Sequence, residues 1–468
     1  MERSRALEQI SKIVGPQGVV DADAAKSLLR DERGLYTGAA ALVVRPGSTQ
    51  ECAAILRICN DSRLGVVPQG GNTGYCGGAT PFDGERQILL NLSRMRRVRR
   101  IDSVRFTMTA EAGVVLADAQ AAAAEHQLLL PLSMGSEGSC ELGGNLSTNA
   151  GGLNVVRYGM ARDLVLGLEV VLPSGDVLSD LKGLHKDNTG YNLKSLFLGA
   201  EGTLGVITAA VLKLFPEPQS RQTAWLAVAD VDAACRLLGT ARRRSGDQVV
   251  SAEYISRQSL QLVLTHVGDV MDPLGEPYEH QVLLELAGST SDAALREVLE
   301  EMLERGLADG DILDGVLAES SRQRDALWRL RETIPEAERR EARGVKHDIA
   351  VPITAIPAFL DAAKQQLSAI AAHRLSVFGH LGDENLHYNL MPPPGSPRFD
   401  DGVARALSEA LYAHVEELGG SFSAEHGVGI FKRAELERFK SPEALELMRR
   451  IKAALDPKGI MNPGKVVG

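Results

Sequence analysis

Two histidines that flank a tight turn carry the most evident chemistry of this sequence. In the stretch Gly-His-Leu-Gly-Asp-Glu-Asn-Leu-His-Tyr-Asn at 379–389, a four-residue loop at 382–385 predicts a β-hairpin that pairs His380 with His387. Directly opposed side chains on one face lie about 4.5–5.5 Å apart at Cβ, so the two imidazoles could share a divalent metal ion. Asn389 would point to the same face, because side chains alternate along a strand.

Further candidate ligands follow along the chain. Glu425 and His426 offer a carboxylate and an imidazole side by side, and a turn at Gly427 must let both face one site. Together His380, His387, Glu425 and His426 could form a His-His-Glu metal site with a spare histidine, a set suited to activating an alcohol. Two imidazoles and a carboxylate suit Zn²⁺, although Mn²⁺, Co²⁺ or Fe²⁺ would fit. The alternatives are two structural histidines beside a turn, and a metallohydrolase site that activates water.

Three glycine-rich loops lie in the first half of the chain. Loop 1 spans 68–78, loop 2 spans 143–152 and loop 3 spans 199–207. Glycine allows close backbone approach, so successive N–H groups can converge on an anion. None of the loops contains lysine or arginine, so a bound diphosphate would be neutralised mainly by backbone dipoles. They match neither a Rossmann fingerprint nor a Walker loop, and tight turns in a β-rich domain are the alternative to a dinucleotide site.

The spacing of apolar residues predicts the helices and strands that hold these groups in place. Short helices are expected over 1–36, and strands with glycine-rich turns over 40–216. After the proline-rich stretch at 215–218, strands alternate with amphipathic helices, which predicts an α+β domain with helices covering one sheet. The main predictions are helices over 48–60 (N-cap Thr49), 231–244, 291–306, 320–343, 401–418 and 442–455, a hairpin of 164–172 with 176–178, and strands over 225–228, 249–254, 282–286 and 346–351.

Composition excludes several classes of protein. A length of 468 residues predicts two or three domains, and a formal charge of −10 argues against a nucleic-acid binder. No apolar run approaches the roughly 20 residues that would span a bilayer, and the first eight residues lack the apolar core of a signal peptide. The five cysteines contain no Cys-x-x-Cys pair, which argues against a disulfide framework and favours a reducing cytoplasm.

These motifs, with Asp-Pro-Lys-Gly-Ile-Met-Asn-Pro-Gly-Lys at 456–465, resemble the vanillyl-alcohol oxidase / p-cresol methylhydroxylase flavoprotein superfamily over about residues 38–466. The chain most resembles its FAD-linked D-2-hydroxyacid dehydrogenases, and among them the branch that acts on D-2-hydroxyglutarate. The resemblance implies an α+β fold with a two-part FAD-binding domain of the p-cresol methylhydroxylase type. The expected parts are an N-terminal helical segment at 1–37, the FAD-binding domain at 38–217, an inserted α+β substrate (cap) domain with the metal site at 218–425, and a helical C-terminal segment at 426–468 that completes the FAD site.

The resemblance also implies residue roles. Non-covalent FAD is expected, because loop 1 has no histidine and Cys76 matches no attachment position. The resemblance implies substrate contacts at Arg331, Lys346, Asn389 and His426. From the sequence alone, Arg331 and Lys346 would be interpreted as solvated surface charges. The implied FAD contacts are Pro68, Gly70, Gly71, Asn72, Thr73, Gly74, Gly135, Ser136, Gly143, Gly144, Ser147, Thr148, Asn149, Gly151, Gly152, Glu201, Gly202, Gly205, Val206, Ile207 and Asn462.

The implied reaction is the oxidation of a D-2-hydroxy acid, with D-2-hydroxyglutarate and its product 2-oxoglutarate favoured because two cations beside a metal suit a dicarboxylate. The resemblance places the metal on His380, His387 and Glu425, where it would lower the pKa of the substrate hydroxyl. His426 would then take the hydroxyl proton as general base, since an unperturbed imidazole has a pKa of about 6.5, and hydride would pass to flavin N5. Pro335 stands where a threonine contact is expected, which leaves D-lactate and glycolate open. A non-catalytic flavin-binding subunit is a further alternative.

The resemblance leaves the partners open. The electron acceptor is expected to be an electron-transfer flavoprotein, a quinone or a cytochrome, and the assembly a homodimer. The expected location is the cytoplasm, or the mitochondrial matrix if the source is eukaryotic.

Overall fold

The computed structural model describes residues 2–467, which form two compact units. The first unit comprises residues up to 151, 159–217 and those from 425 onward. The second comprises 152–158 and 218–424. The chain therefore leaves the first unit twice, briefly at 152–158 and then from 218 to 424.

The strands are β1 Leu42–Val44, β2 Gly65–Gln69, β3 Gln87–Asn91, β4 Val98–Asp102, β5 Thr107–Glu111, β6 Leu128–Leu129, β7 Val165–Val171, β8 Val177–Asp180, β9 Val206–Lys213, β10 Phe215–Pro216, β11 Ser220–Val228, β12 Val249–Ser256, β13 His280–Gly288, β14 Ile312–Leu317, β15 Asp348–Ala350, β16 Arg374–His380 and β17 Asn385–Met391.

The α-helices are α1 Glu2–Val14, α2 Ala22–Leu28, α3 Thr49–Ser62, α4 Leu116–Ala124, α5 Leu142–Thr148, α6 Val155–Tyr158, α7 Val231–Arg244, α8 Arg257–His266, α9 Asp292–Asp309, α10 Ser321–Glu332, α11 Ile334–Glu341, α12 Ile356–Ser368, α13 Asp401–Glu417, α14 Arg433–Phe439 and α15 Pro442–Leu455. Short 3₁₀ turns span Ala161–Leu164, Leu193–Leu196, Ile353–Ala355 and Leu381–Asp383.

The first unit contains a parallel sheet and a larger antiparallel sheet. The parallel sheet has the order β1-β3-β2, and the antiparallel sheet has the order β4-β5-β9-β7-β8. Helices α1 and α3 bury apolar residues such as Ile10 and Ile55 in a core shared with β2 and β3. Met461, near the C-terminus, lies in the same core and bridges to Val66 of β2. The last residues of the chain are therefore held beside the strand that leads into loop 1.

The second unit is built on one antiparallel sheet with the order β14-β11-β13-β12-β16-β17-β15. Trp225, Leu283 and Phe378 lie in a core cluster with apolar residues of α8, α10 and α11. Side chains alternate between the two faces of a sheet, and strand pairing puts Trp225, Leu283 and Phe378 on one face. The three helices therefore cover the face that carries Phe378. Of the described residues 2–467, no helix combines the length and apolar character needed to cross a bilayer.

Two helix predictions are wrong, one at the N-cap of a helix and the other in the interior of a different helix. Ser48 caps α3, since its hydroxyl accepts the N–H of Glu51, and Thr49 is the first helical residue. The helix expected over 320–343 is divided at Thr333 into α10 and α11. Pro335 explains the break, because it has no N–H and its ring clashes with the carbonyl four residues earlier.

The hairpin at 379–389 forms, but in a different register. Phe378, and not His380, opposes His387. A 3₁₀ turn at Leu381–Asp383, followed by Glu384 at φ 70°, lengthens the connection. The register therefore differs by two residues from the predicted one. A shift of two keeps each side chain on its face, so both histidines still lie on one face, diagonal to each other.

Candidate active site

The three glycine-rich loops meet around Asn462 in the first unit. The Asn462 Nδ2 donates to the carbonyl of Gly78 in loop 1 at 2.9 Å and to the carbonyl of Glu201 in loop 3 at 2.7 Å. Loop 2 is joined to loop 3 by a hydrogen bond of 2.8 Å from the Glu201 N–H to the Ser147 carbonyl. Segments far apart in sequence are thus held together by short hydrogen bonds.

The backbone at this junction is strained. Asn72, Asn149 and Glu201, one in each loop, have φ values of 58°, 51° and 50°, and Asn462 has φ 41°. Non-glycine residues seldom adopt left-handed conformations, and such residues cluster at ligand sites. This concentration of strained residues supports a binding role for the loops.

Three observations show that the junction fits a dinucleotide such as FAD. The backbone N–H groups of residues 70–75 donate no hydrogen bond to any residue within 2–467. The Asn462 Oδ1 is buried and has no partner among the described residues. A Cβ added at Gly74 or Gly144 would meet nothing within 4 Å. Available N–H groups, a buried acceptor and space beside the backbone suit a ligand with phosphates and a polar ring.

Other glycines of the predicted FAD set serve packing. A Cβ at Gly71 would lie 2.0 Å from the Ser139 carbonyl oxygen, and one at Gly143 would lie 2.7 Å from the Ala112 Cβ. Val206 and Ile207 are buried at the start of β9. For these residues, as for the other predicted FAD contacts, direct contact with the cofactor stays a prediction.

Three ionisable groups lie in the same unit, and of these Glu141 and Lys465 were not among the predicted site residues. The Glu201 carboxylate accepts the N–H groups of Val428 and Gly429, each at 2.8 Å, and burial raises its pKa. Burial raises the pKa of Glu141 to about 7. Lys465 is 1 % exposed, its ammonium lies 4.8 Å from the centre of the Phe82 ring, and burial lowers its pKa to about 8. The only feature of the sequence that could have indicated a role for Lys465 was its position in the C-terminal motif at 456–465.

Replacing Gly144 by alanine is expected to stabilise the FAD-free protein and to weaken FAD binding. Alanine is favoured over glycine inside a helix by about 1 kcal/mol, and Gly144 lies within α5. If FAD fills the space beside Gly144, the added methyl should overpack it and lower FAD affinity about 10- to 100-fold. Thermal unfolding of the FAD-free protein and FAD titration measure the two effects.

Gly239→Ala is the matched control, because Gly239 lies in α7 and its added Cβ would meet the flexible Arg243 side chain at 3.3 Å. This variant should gain stability without any change in FAD affinity. A Gly144→Ala protein that binds FAD as tightly as the wild type would contradict the assignment of these loops.

In the second unit, His387 lies on β17, between the neighbouring strands β16 and β15 of the sheet. Its neighbours across the strands are Phe378 on one side and Asp348 on the other. The Asp348 carbonyl accepts the N–H of Ala424, which directly precedes Glu425 and His426. Ligand atoms of Asp348, His387, Glu425 and His426 all lie within 4.8 Å of one another. We call these four residues the ligand group.

The ligand group contains two predicted metal residues and the predicted base. Asp348 was missed, although its position in the strand predicted over 346–351 could have placed it opposite the hairpin. His380 lies outside the group, with its ring centre 5.7 Å from that of His387. Two imidazoles and two carboxylates provide the nitrogen and oxygen ligands that Zn²⁺ and related divalent ions accept, so the donor set fits a metal.

His426 and Glu425 are both half-buried, and the His426 Nε2 lies 3.8 Å from a Glu425 oxygen. The Tyr75 ring packs edge-on against the His426 ring at 4.8 Å between centres. Gly427 has φ 77°, so the predicted turn directly after this pair is present. The Glu425 carboxylate and the Tyr75 ring therefore both restrict the orientation of the His426 imidazole.

Arg331 ends α10 beside a buried acid. Its Nε donates to Glu253 at 2.7 Å, and its guanidinium carbon lies 4.7 Å from the centre of the Phe378 ring. The terminal Nη groups of Arg331 make no hydrogen bond with the described residues. Burial alone would raise the pKa of Glu253, but the charges of His380 and Arg331 outweigh it and lower that pKa to about 2. The carboxylate is therefore ionised and fixes the arginine.

Lys346 and Asn389 share a second buried acid, Glu338, on α11. The Lys346 ammonium lies 2.9 Å from Glu338, and the Asn389 Nδ2 lies 3.0 Å from each Glu338 oxygen. The Asn389 Oδ1 accepts the N–H of His347 at 3.1 Å. The amide of Asn389 is thus occupied inside the protein, and its role as a substrate contact stays a prediction.

Sequence reasoning did not single out Glu253 or Glu338. Glu253 is the one acid in the strand Val-Val-Ser-Ala-Glu-Tyr-Ile-Ser, which was a usable signal. An ionised side chain inside an apolar strand needs a partner, because an unpaired buried charge is costly.

Comparison with known proteins identifies the family and the fold of the chain. Residues 40–180 match the model of an FAD binding domain, and residues 217–466 match the model of the FAD linked oxidases, C-terminal domain. The solved structure of p-cresol methylhydroxylase with substrate bound superposes with a TM-score of 0.77 at 16 % identity, covering 100 % of this chain and 97 % of that one. The fold is thus the two-domain FAD-binding fold of the p-cresol methylhydroxylase type.

Two curated relatives share more than a third of the sequence. The mitochondrial D-2-hydroxyglutarate dehydrogenase of Arabidopsis thaliana is 37 % identical over 99 % of this chain and 82 % of its own length. The mitochondrial D-2-hydroxyglutarate dehydrogenase of Bos taurus is 41 % identical over 92 % of this chain and 77 % of its own length. With the loops and the family matches above, these relatives show that the chain belongs to the FAD-linked oxidases and, within them, to the FAD-dependent D-2-hydroxyacid dehydrogenases.

Proposed function

We propose that this enzyme oxidises D-2-hydroxyglutarate to 2-oxoglutarate with FAD and a divalent metal ion, Zn²⁺ being the best match to the ligands. The observation that carries the proposal is that two cations, Arg331 and Lys346, lie on the same face of the sheet as His387 and Asp348 of the ligand group. Arg331 is fixed by Glu253 and Lys346 by Glu338. A dicarboxylate needs such cations for the carboxylate farther from the reacting carbon, and D-lactate has no second carboxylate.

The metal would be held by His380, His387 and Glu425, with Asp348 as an additional carboxylate beside His387. When bound, such an ion supplies the Lewis acidity that lowers the pKa of the substrate hydroxyl. When bound, FAD provides the acceptor for the two electrons that leave the substrate carbon. The loops around Asn462 would hold the FAD, without a covalent bond.

The chain's own residues bind the substrate and move its proton. The Nη groups of Arg331 would grip a carboxylate in a two-pronged contact, and the Lys346 ammonium would add a point charge. His426 would remove the hydroxyl proton as its neutral imidazole. Glu425, beside His426, would stabilise the imidazolium that forms.

Anaerobic bleaching of the FAD-loaded protein by a panel of 2-hydroxy acids tests the substrate. The D-enantiomer of 2-hydroxyglutarate should bleach the flavin fastest, and the L-enantiomer should leave it oxidised. D-lactate and glycolate should react more slowly, because neither can contact both cations. If D-lactate bleached the flavin faster than D-2-hydroxyglutarate, the assignment of Arg331 and Lys346 to a second carboxylate would be wrong.

We also propose that an electron-transfer flavoprotein, a quinone or a cytochrome reoxidises the flavin, and that the protein is a homodimer. The two relatives are named as mitochondrial proteins. For this chain, we propose the cytoplasm, or the mitochondrial matrix if its source is eukaryotic.

A further inference from the structure

We propose that Glu253 is a positioning residue of the active site, whose one carboxylate orients His380 as a metal ligand and Arg331 as a substrate contact. The inference rests on the proposed function, because it concerns the same metal and the same substrate. It adds a residue of the central strand that neither the motifs nor the family matches single out.

The geometry of Glu253 carries the proposal. Its side chain is 0 % exposed, and it lies opposite His380 on the neighbouring strand. One carboxylate oxygen lies 2.7 Å from the His380 Nδ1, and the other lies 2.7 Å from the Arg331 Nε. The Ser251 hydroxyl donates to the first oxygen at 3.1 Å, which further fixes the orientation of the carboxylate.

These contacts determine which atoms the two partners present. The Glu253 carboxylate is the acceptor for the Arg331 Nε–H and for the Ser251 hydroxyl, so we assign its contact with His380 to the Nδ1–H of that imidazole. The ring atom of His380 that would bind a metal is then Nε2, as in other sites where a carboxylate orients a metal-binding imidazole. For Arg331, the carboxylate engages Nε, and the Nη edge is the side offered to a substrate carboxylate.

Glu338 provides a matched comparison. It is also 0 % exposed, and it also holds two predicted site residues, Lys346 and Asn389. Within residues 2–467, no hydrogen bond or ion pair joins Glu338 to a predicted metal ligand. Replacing either glutamate by glutamine removes a fully buried negative charge beside a cation, so general effects on folding should be similar.

The test compares Zn²⁺ affinity in the FAD-loaded wild type, Glu253→Gln and Glu338→Gln proteins, by competition with a chromophoric chelator. Glu253→Gln should lose 10- to 100-fold in Zn²⁺ affinity, the usual effect of removing a carboxylate that orients a metal-binding histidine. Glu338→Gln should bind Zn²⁺ like the wild type. Both variants should show a raised KM for D-2-hydroxyglutarate, because each loses the partner of one cation.

The outcomes separate the inference from the proposed function. Loss of Zn²⁺ affinity in Glu253→Gln alone supports the positioning role. Equal Zn²⁺ affinity in Glu253→Gln and the wild type, or equal losses in both variants, overturns it and leaves the metal-dependent function standing. A wild-type protein that binds no Zn²⁺ overturns both.

A measurement on the wild type covers the case in which Glu253→Gln does not fold. The ¹⁵N signals of His380 in the Zn²⁺-loaded protein, assigned by their loss in His380→Gln, report which ring nitrogen carries the proton. The proposal expects a proton on Nδ1 and metal on Nε2. A proton on Nε2 would overturn it.

Discussion

Flavin reduction by D-2-hydroxyglutarate should become about 10²- to 10⁴-fold slower when His426 is replaced by alanine, while the protein keeps its FAD. This is the range that a positioned general base contributes. His426 lies in the ligand group, and the Tyr75 ring at 4.8 Å and Glu425 at 3.8 Å restrict its ring. Anaerobic stopped-flow measurement of flavin bleaching gives the rate, and the absorbance of bound FAD reports cofactor retention.

His373→Gln is the control, because His373 lies outside the ligand group and its Nδ1 contacts the Ala371 carbonyl. This variant should be reduced at the wild-type rate. If His426→Ala were reduced as fast as the wild type, the base would be a different residue. A variant that lost its FAD would instead show a structural role for His426 in the first unit.

Replacing Arg331 by methionine should destabilise the protein by about 3–5 kcal/mol and raise the KM for D-2-hydroxyglutarate about 10- to 100-fold. The loss of stability follows because Glu253, which is 0 % exposed, would keep its charge without the arginine. The rise in KM follows from the loss of charge-assisted hydrogen bonds to the substrate. Denaturant unfolding and steady-state kinetics measure the two effects separately.

The double variant Glu253→Gln/Arg331→Met separates structure from binding. It removes the buried charge together with its partner, so most of the lost stability should return. The KM should stay high, because the Nη groups are still missing. Recovery of a normal KM in the double variant would show that Arg331 does not contact the substrate.

Two helices with an amphipathic pattern and a capping residue were predicted to the residue. Helices α7 and α15 begin and end where the sequence predicted, at 231–244 and 442–455. Asp230 accepts the N–H of Ala233, and Ser441 accepts the N–H of Ala444, so a local side chain fixes each start. The hairpin of β7 with β8 was also predicted correctly, because Pro173-Ser174-Gly175 determines its turn.

Features that depend on tertiary partners were harder to predict. The register of the hairpin at 379–389 depends on how the turn at Leu381–Asp383 folds, and the residue types permitted a shorter loop. The break between α10 and α11 was predictable in principle from Pro335, but the surrounding apolar pattern continues through it.

Part of the candidate site was accessible from local motifs, and part was not. His387, Glu425 and His426 lie together as their motifs predicted, whereas Asp348 enters the group only through strand pairing. Glu253 meets His380 and Arg331 across 127 and 78 residues of sequence. No local spacing encodes such pairs, and a buried acid reveals only that a partner must exist.

The most direct test asks whether the oxidation of D-2-hydroxyglutarate depends on a metal ion at the ligand group. The rate of flavin bleaching is measured before metal removal, after metal removal and after Zn²⁺ is restored. We expect the stripped protein to stay yellow and to be reduced far more slowly, and Zn²⁺ to restore the rate. Unchanged bleaching in protein shown to be free of metal would contradict a metal-dependent oxidation at the ligand group.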